Sequence, residues 1–173
     1  KKEIPSEDYV LTLDLDAVPT YLDVNKAPLR YNKSFAYSLT QDDTYKDGYT
    51  HLFKLFNGGT ITEEGETFNG LFFTDGTGND IPFAAGVSLI SLDEQMNDIH
   101  VSSNFYLIHS DMKTLLANGW NIYNHSLQHM ANGEFDHDYQ IKANTQYVKE
   151  KFGIKMRSFV LPSGDVDYIP YVW

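Results

Sequence analysis

The chain has no cysteine among its 173 residues. Disulfides, thiolate metal sites and a cysteine nucleophile are therefore excluded together. Basic residues are also scarce, since 13 lysines and arginines stand against 24 aspartates and glutamates, for a formal net charge of −11. Binding to nucleic acid or to anionic membrane surfaces needs basic patches, so this balance disfavours both. It favours a neutral or cationic ligand.

Long apolar runs are also missing. No stretch approaches the roughly 18 apolar residues of a membrane span, so we predict no transmembrane segment. Residues 1–3 have no signal-peptide character. The apolar content of 42% and the aromatic content of 14% are those of a globular protein. The length suits one main domain, which we place at 34–173 after an N-terminal strand and connecting segment at 1–33.

Two histidines stand four residues apart in the stretch 119–130, which reads Gly-Trp-Asn-Ile-Tyr-Asn-His-Ser-Leu-Gln-His-Met. Neutral imidazole is the commonest protein ligand of divalent transition metals. His125 and His129 would meet on one side of a helical turn. They could then share an ion if a third ligand came from elsewhere. Because short motifs often arise by chance, two ordinary packed or surface histidines are the alternative.

The hydrophobic pattern alternates between strand and helix periods. Gly58 and Gly59 are expected to end the first helix, and 75–80 reads as a plain turn. This order predicts a mainly parallel α/β architecture. The expected strands lie at 10–16, 35–40, 71–74, 83–92, 120–124 and 156–161, and the expected helices at 47–57, 110–116 and 135–152.

Polar residues follow three of these strands. Asp42 and Asp43 come after 35–40, His125 follows 120–124, and Pro162 follows 156–161. In parallel sheets, ligands bind at the carboxyl ends of the strands. We therefore expect these residues to share a site, with an aspartate supplying the third metal ligand.

The same residues carry a resemblance to a family. Residues 39–43, Leu-Thr-Gln-Asp-Asp, resemble the first motif of the polysaccharide deacetylases, the chitooligosaccharide-deacetylase-like carbohydrate esterases of family four, usually Thr-Phe-Asp-Asp. Residues 119–129 match the second motif, Gly-x-x-x-x-Asn-His-Ser/Thr-x-x-His. Residues 159–164, Phe-Val-Leu-Pro-Ser-Gly, resemble a degenerate third motif, usually Arg-Pro-Pro-Tyr-Gly. The resemblance spans about 34–165.

This resemblance implies a distorted, incomplete (β/α) barrel of the polysaccharide deacetylase type, of which the chain would be the N-terminal part. It implies a divalent metal, most often zinc, held by Asp43, His125 and His129. Asp42 would be the general base that takes a proton from the attacking water. Two histidines and one carboxylate leave positions open on the metal, as catalysis requires. Pro162, Ser163 and Gly164 would contact the substrate, an acetylated polysaccharide or oligosaccharide.

Two departures from the family pattern affect the expected activity. Val160 stands where the family has the arginine that orients the base, and Arg157 has the wrong strand spacing to replace it. The family's later motifs, with a general-acid histidine, have no match here. We expect weak or no turnover from this chain alone.

Three functions follow from these observations. The leading one is metal-dependent removal of acetyl groups from a glycan, an amide-bond hydrolysis when the group is N-linked. The alternatives are an impaired glycan-binding or structural module on the same fold, and an unrelated metallohydrolase. A secreted, periplasmic or cell-surface location is implied by the family's glycan substrates.

Overall fold

A three-stranded parallel sheet organises the chain. The computed structural model describes residues 21, 23, 25, 28–62 and 65–172, so the strand predicted at 10–16 lies outside the described residues. The sheet has the order β1 (Thr40–Gln41), β6 (Gly86–Leu89) and β7 (Asn121–Asn124). Both pairings are parallel, which confirms the predicted α/β architecture. The distorted, incomplete barrel remains a prediction.

The central strand β6 is buried along its whole length. Val87, Ser88 and Leu89 have no solvent exposure. A strand with partners on both sides and helices over its faces reads as a continuous apolar run. That pattern is why a buried strand could be predicted here, although only Gly86–Leu89 of the expected 83–92 forms it.

Helices cover this sheet. A π-helical segment, Gly48–Phe53, continues into α1 (Lys54–Asn57), which ends at Gly58 with φ of 90°. Helix α2 spans His109–Ala117, and α3 spans His137–Phe152. All three helical regions were predicted within a few residues. No helix in the described ranges is long and apolar enough to cross a membrane.

Both ends of α3 are capped. The Asp136 carboxylate accepts a hydrogen bond from the backbone N–H of Tyr139 at 2.9 Å. Gly153 closes the helix in the left-handed conformation, with φ of 70°. These are the usual polar N-cap and glycine C-cap. The helix ends at Phe152 as predicted and begins two residues later than predicted.

Two antiparallel hairpins lie between the first two strands of the sheet. Strand β2 (Gly59–Ile61) pairs with β3 (Glu66–Phe68), and β4 (Phe72–Thr74) pairs with β5 (Asp80–Pro82). Only β4 was expected, because the other short strands lie in polar, turn-rich sequence. Asp75 holds the second turn through hydrogen bonds from Thr77 and Asn79.

Two predicted strands are mostly irregular. Of 35–40, only Thr40 joins the sheet, and Phe35 and Tyr37 are 78% and 65% exposed. Their alternation therefore does not mark a half-buried strand. Of 156–161, a single bridge links Phe159 to Asn124. The chain then forms 3-10 turns at Pro162–Gly164 and Val166–Tyr171.

The hydrophobic core lies between the sheet and the helices. Trp120 is tied to α1 because its indole N–H donates to Asn57 Oδ1 at 2.9 Å. The buried core cluster comprises Phe53, Phe56, Ala85, Val87, Leu89, Leu107, Met112, Leu115, Trp120, Ile122, Val148 and Met156.

A buried amide network joins α3 to the sheet. Asn144 Nδ2 donates to Leu89 O and to Asn124 Oδ1, both at 2.8 Å, and Ser91 Oγ donates to Asn144 Oδ1. Asn124 Oδ1 also accepts from the backbone N–H of Ser126 at 2.9 Å. The network therefore holds the chain on both sides of His125.

Replacing Asn144 should be costly. Asn144→Ala leaves the buried Ser91 hydroxyl without its hydrogen-bond partner, whereas Leu89 O and Asn124 Oδ1 each keep a backbone donor. One such unsatisfied buried group costs about 1–3 kcal/mol. We expect the free energy of unfolding to fall by about 1–3 kcal/mol, measured by urea denaturation. The exposed neighbour Gln146→Ala serves as the control and should change stability little. An unchanged free energy of unfolding in Asn144→Ala would show that the network does not stabilise the fold.

Candidate metal centre

The first ligand candidate follows β1 directly. Asp43 has a left-handed backbone, with φ of 63°, and Thr44 continues the turn with φ of 52°. Aspartate tolerates this conformation better than most residues because its short polar side chain can bond locally. The turn is secured where Leu107 N–H donates to Thr44 O at 2.9 Å. The Asp43 carboxylate is thereby placed at the carboxyl edge of the sheet.

The two histidines lie on a loop after β7. The backbone N–H of His125 donates to Leu89 O at 3.0 Å, which continues the sheet by one bond. Ser126 and His129 then take left-handed φ values of 63° and 57°. The prediction that both imidazoles share a helical turn is therefore wrong. The irregular loop nevertheless brings the two ring centroids to 4.8 Å.

The structure brings Asp43, His125 and His129 together. Asp43 Oδ1 lies 3.3 Å from the Nε2 atoms of both histidines. Within the described residues, this buried oxygen has no hydrogen-bond partner. Ligand atoms about 2.0–2.2 Å from a tetrahedral ion lie about 3.3–3.6 Å apart. The spacing and the orphaned oxygen both fit a divalent cation.

The far side of His125 fixes its ring. Its Nδ1 lies 2.8 Å from Val160 O, and a carbonyl can only accept, so Nδ1–H is the donor. In the neutral ring, this leaves the Nε2 lone pair facing Asp43. A backbone carbonyl behind an imidazole is the usual support of a metal-ligating histidine. The His125 side chain is 3% exposed, against 31% for His129.

Asp42 lies beside this group with a different partner. Its Oδ1 accepts from Ser88 Oγ at 2.8 Å. The register explains the contact, because Gln41 pairs with Val87, which sets the two residues that follow them, Asp42 and Ser88, side by side. Ser88 was missed from the sequence; a serine within a mostly apolar predicted strand was the available signal.

An arginine does not take the role of orienting Asp42. The chain has two arginines. Arg30 lies over the Tyr31 ring, at 5.5 Å, and Arg157 is exposed beside Phe159 in a separate groove. Arg157 therefore does not replace the missing arginine, although the strand assumed in the spacing argument is mostly irregular here. Among the described residues, Ser88 is the side chain that holds Asp42.

A cleft of about 450 Å³ opens beside the metal-ligand candidates. Tyr45 and Tyr106 form one wall, stacked with centroids 5.9 Å apart and planes 11° apart. The negative charge of Asp43, helped by partial burial and by Tyr106, raises the pKa of the Tyr45 phenol, which therefore stays a donor. The lining residues are Asp43, Tyr45, Ile90, Leu92, Asp93, Glu94, Gln95, Ile99, Tyr106, Gln128 and His129.

The turn that was predicted to contact the substrate does not line this cleft. Pro162, Ser163 and Gly164 form a 3-10 turn in which Pro162 is buried. None of the three is among the described residues that line the cleft. Val160, just before this turn, contacts the site through its backbone carbonyl, for which the sequence carries no signal. Substrate contact by the turn stays a prediction.

The other histidines without a motif have their own contacts. His100 is fully buried, and its ring nitrogens lie 2.6 Å from Leu107 O and Ile90 O. Burial lowers the pKa of His100 despite these two carbonyls. His109 Nε2 lies 2.8 Å from Tyr147 Oη. The His137 side chain is largely buried, with 12% of its surface exposed.

Comparison with solved structures finds deacetylases. The chain is similar to Streptococcus pyogenes deacetylase PplD in complex with acetate, with TM-score 0.54 and 16% identity over 78% of this chain and 50% of that one. It is also similar to a Bacillus cereus polysaccharide deacetylase, with TM-score 0.53 and 15% identity over 78% of this chain and 36% of that one. No family model matches the sequence, and no curated protein matches it.

These similarities concern the fold. The chain spans about half of the first structure's chain and just over a third of the second. The first of these proteins is a deacetylase and the second is a polysaccharide deacetylase. The fold of this chain therefore agrees with the family resemblance seen in the motifs.

Proposed function

We propose that this chain carries the metal-binding part of a polysaccharide-deacetylase-like hydrolase that removes acetyl groups from an N- or O-acetylated glycan. One observation carries the proposal: Asp43, His125 and His129 converge, and two of them, Asp43 and His129, border an open cleft. Asp42 directly precedes Asp43 in the chain. The fold similarity to two deacetylases agrees with it.

The three candidate ligands suit zinc. Two imidazole nitrogens and one carboxylate oxygen are a common zinc set and leave a position free for chemistry. When bound, such an ion supplies Lewis acidity toward a carbonyl oxygen and a water molecule. His129 and Asp43 border the cleft, so the open side of the group faces the space a substrate would enter.

Asp42 is the proposed general base. Ser88 occupies its Oδ1, which leaves Oδ2 to accept a proton from the attacking water. The two aspartates can divide the work because they face different partners: Asp42 contacts a hydroxyl and Asp43 contacts two imidazoles.

The cleft suits a neutral or cationic sugar. Its stacked tyrosines offer a flat aromatic wall, and Asp93 and Glu94 add negative charge. No lysine or arginine occurs among the described lining residues. We therefore propose acetylated chitooligosaccharide-like glycans ahead of anionic ones, and a secreted, periplasmic or cell-surface location where such glycans occur.

The test is acetate release from acetylated chitooligosaccharide, peptidoglycan and xylan by the chain loaded with zinc. Release that disappears with a chelator and returns with zinc supports the proposal. Failure to bind zinc at all contradicts it.

A non-catalytic glycan-binding module is the second candidate. The absence of an arginine beside Asp42 favours it, because the base then lacks the family's orienting group. Binding of acetylated chitooligosaccharide by the zinc-loaded chain, with no acetate released, would support this function over the first.

Ser88→Ala should slow turnover without affecting zinc. Losing one hydrogen bond to a carboxylate costs about 1.4 kcal/mol or more, or about tenfold in kcat. We expect KM and zinc affinity to stay the same, since Ser88 contacts Asp42 alone among the proposed site residues. Ser110→Ala, on the exposed face of α2, is the control. A changed zinc affinity would mean that Ser88 supports the ligands instead.

A further inference from the structure

A second cluster of side chains that could bind a metal lies at the N-terminal end of α3. It consists of His137, Asp165 and Asp167, each of which offers one atom within 4.8 Å of the others. We propose that these three residues form a second divalent-metal site, separate from Asp43, His125 and His129. The proposal does not depend on the deacetylase function.

Asp165 is a buried carboxylate without a lysine or arginine partner among the described residues. Its side chain is 3% exposed. The backbone N–H groups of Asn132 and Asp167 donate to Oδ2 and Oδ1, at 2.8 Å and 3.0 Å. Two backbone donors to one carboxyl group stabilise its ionised form. Each carboxylate oxygen still has a free lone pair. Burying an anion is costly unless a positive charge lies beside it.

His137 is aimed at this carboxylate without bonding to it. Its Nε2 lies 3.8 Å from Asp165 Oδ2, beyond hydrogen-bond range. In the described part of the chain, this buried nitrogen has no hydrogen-bond partner. The His137 ring stacks on the rings of Phe135 and Tyr171, with centroids 4.1 Å and 5.6 Å away. It meets the Tyr168 ring edge-on, with centroids 4.7 Å apart. Aromatic packing therefore fixes the direction in which Nε2 points.

A cation between these atoms would satisfy both groups. Asp167 is exposed and completes the set from the solvent side, where water can fill further positions. One imidazole and two carboxylates suit zinc or manganese. Asp136 and Asp138 flank His137, and their charge offsets the positive end of α3.

The site would stabilise the loop that carries His129. Asp165 accepts from Asn132 N–H, and Tyr168 Oη donates to Met130 O at 2.7 Å. Both contacts hold the chain just after His129. A metal bound to Asp165 would therefore connect the Val166–Tyr171 turn to that loop. Loss of the metal should make the loop more mobile.

The experiment counts zinc and manganese ions bound to the whole chain by elemental analysis after gel filtration, together with calorimetric titration. The unsubstituted chain should bind two equivalents of zinc. His137→Phe keeps the aromatic packing and removes the ligand, and Asp167→Asn changes an exposed ligand. Each should lose one equivalent, whereas Glu134→Gln, an exposed neighbouring acid, should keep two.

Asp43→Asn separates this site from the first one. It should lose the other equivalent and retain the one that His137→Phe abolishes. A single equivalent in the unsubstituted chain, lost in Asp43→Asn, would overturn the second site. Equal zinc counts in the unsubstituted chain, His137→Phe and Asp167→Asn would also overturn it, and would leave His137 and Asp165 as an ion pair.

Discussion

Asp43→Asn is expected to lower the zinc affinity of the Asp43, His125 and His129 site by about 100-fold or more. Even residues behind a metal ligand contribute about 10–100-fold to affinity, so a direct charged ligand should contribute at least as much. Asparagine is the right replacement because it tolerates the left-handed backbone at position 43, where φ is 63°. Alanine would add backbone strain to the loss of the ligand.

The measurement is a calorimetric zinc titration, with circular dichroism to show that the fold is retained. Asp80→Asn, at an exposed position of β5, is the matched control and should bind zinc normally. If Asp43→Asn and Asp80→Asn bind with equal affinity, Asp43 is not a ligand and the assignment of this site fails.

Asp42→Asn should abolish turnover while sparing the metal. A general base contributes about 10²–10⁴-fold to the rate, and an amide cannot accept the proton. Ser88 Oγ can still donate to the amide oxygen, so the local structure should persist. The rate of acetate release should therefore fall by about 10²–10⁴-fold. It is measured with a substrate from which the unsubstituted chain releases acetate.

Zinc affinity distinguishes the roles of the two aspartates. Asp42→Asn should titrate with zinc as the unsubstituted chain does, because the nearest approach of a carboxylate to His125 and His129 is made by Asp43. Loss of zinc in Asp42→Asn together with retention in Asp43→Asn would reverse the two assignments.

Local sequence determined the parts of this protein that depend on short-range chemistry. The caps at Asp136 and Gly153 delimit α3, and the apolar run in β6 marks a buried strand. The placement of Asp42, Asp43 and His125 after strands also followed from the pattern. Residues after parallel strands share one edge of a sheet, so their proximity could be expected before any coordinate was known.

Tertiary structure decided what these residues contact. The Gln41–Val87 pairing puts Ser88 beside Asp42, and a single bridge near Phe159 brings the Val160 carbonyl to His125. Strand register and backbone carbonyls leave no mark in composition or spacing. The loop geometry that joins His125 to His129 was likewise hidden, because left-handed residues at Ser126 and His129 break the helical expectation. The cluster of His137 with Asp165 depends on the chain folding back onto α3. Residues so far apart in the chain meet only through tertiary packing, so their contact could not be predicted from the sequence.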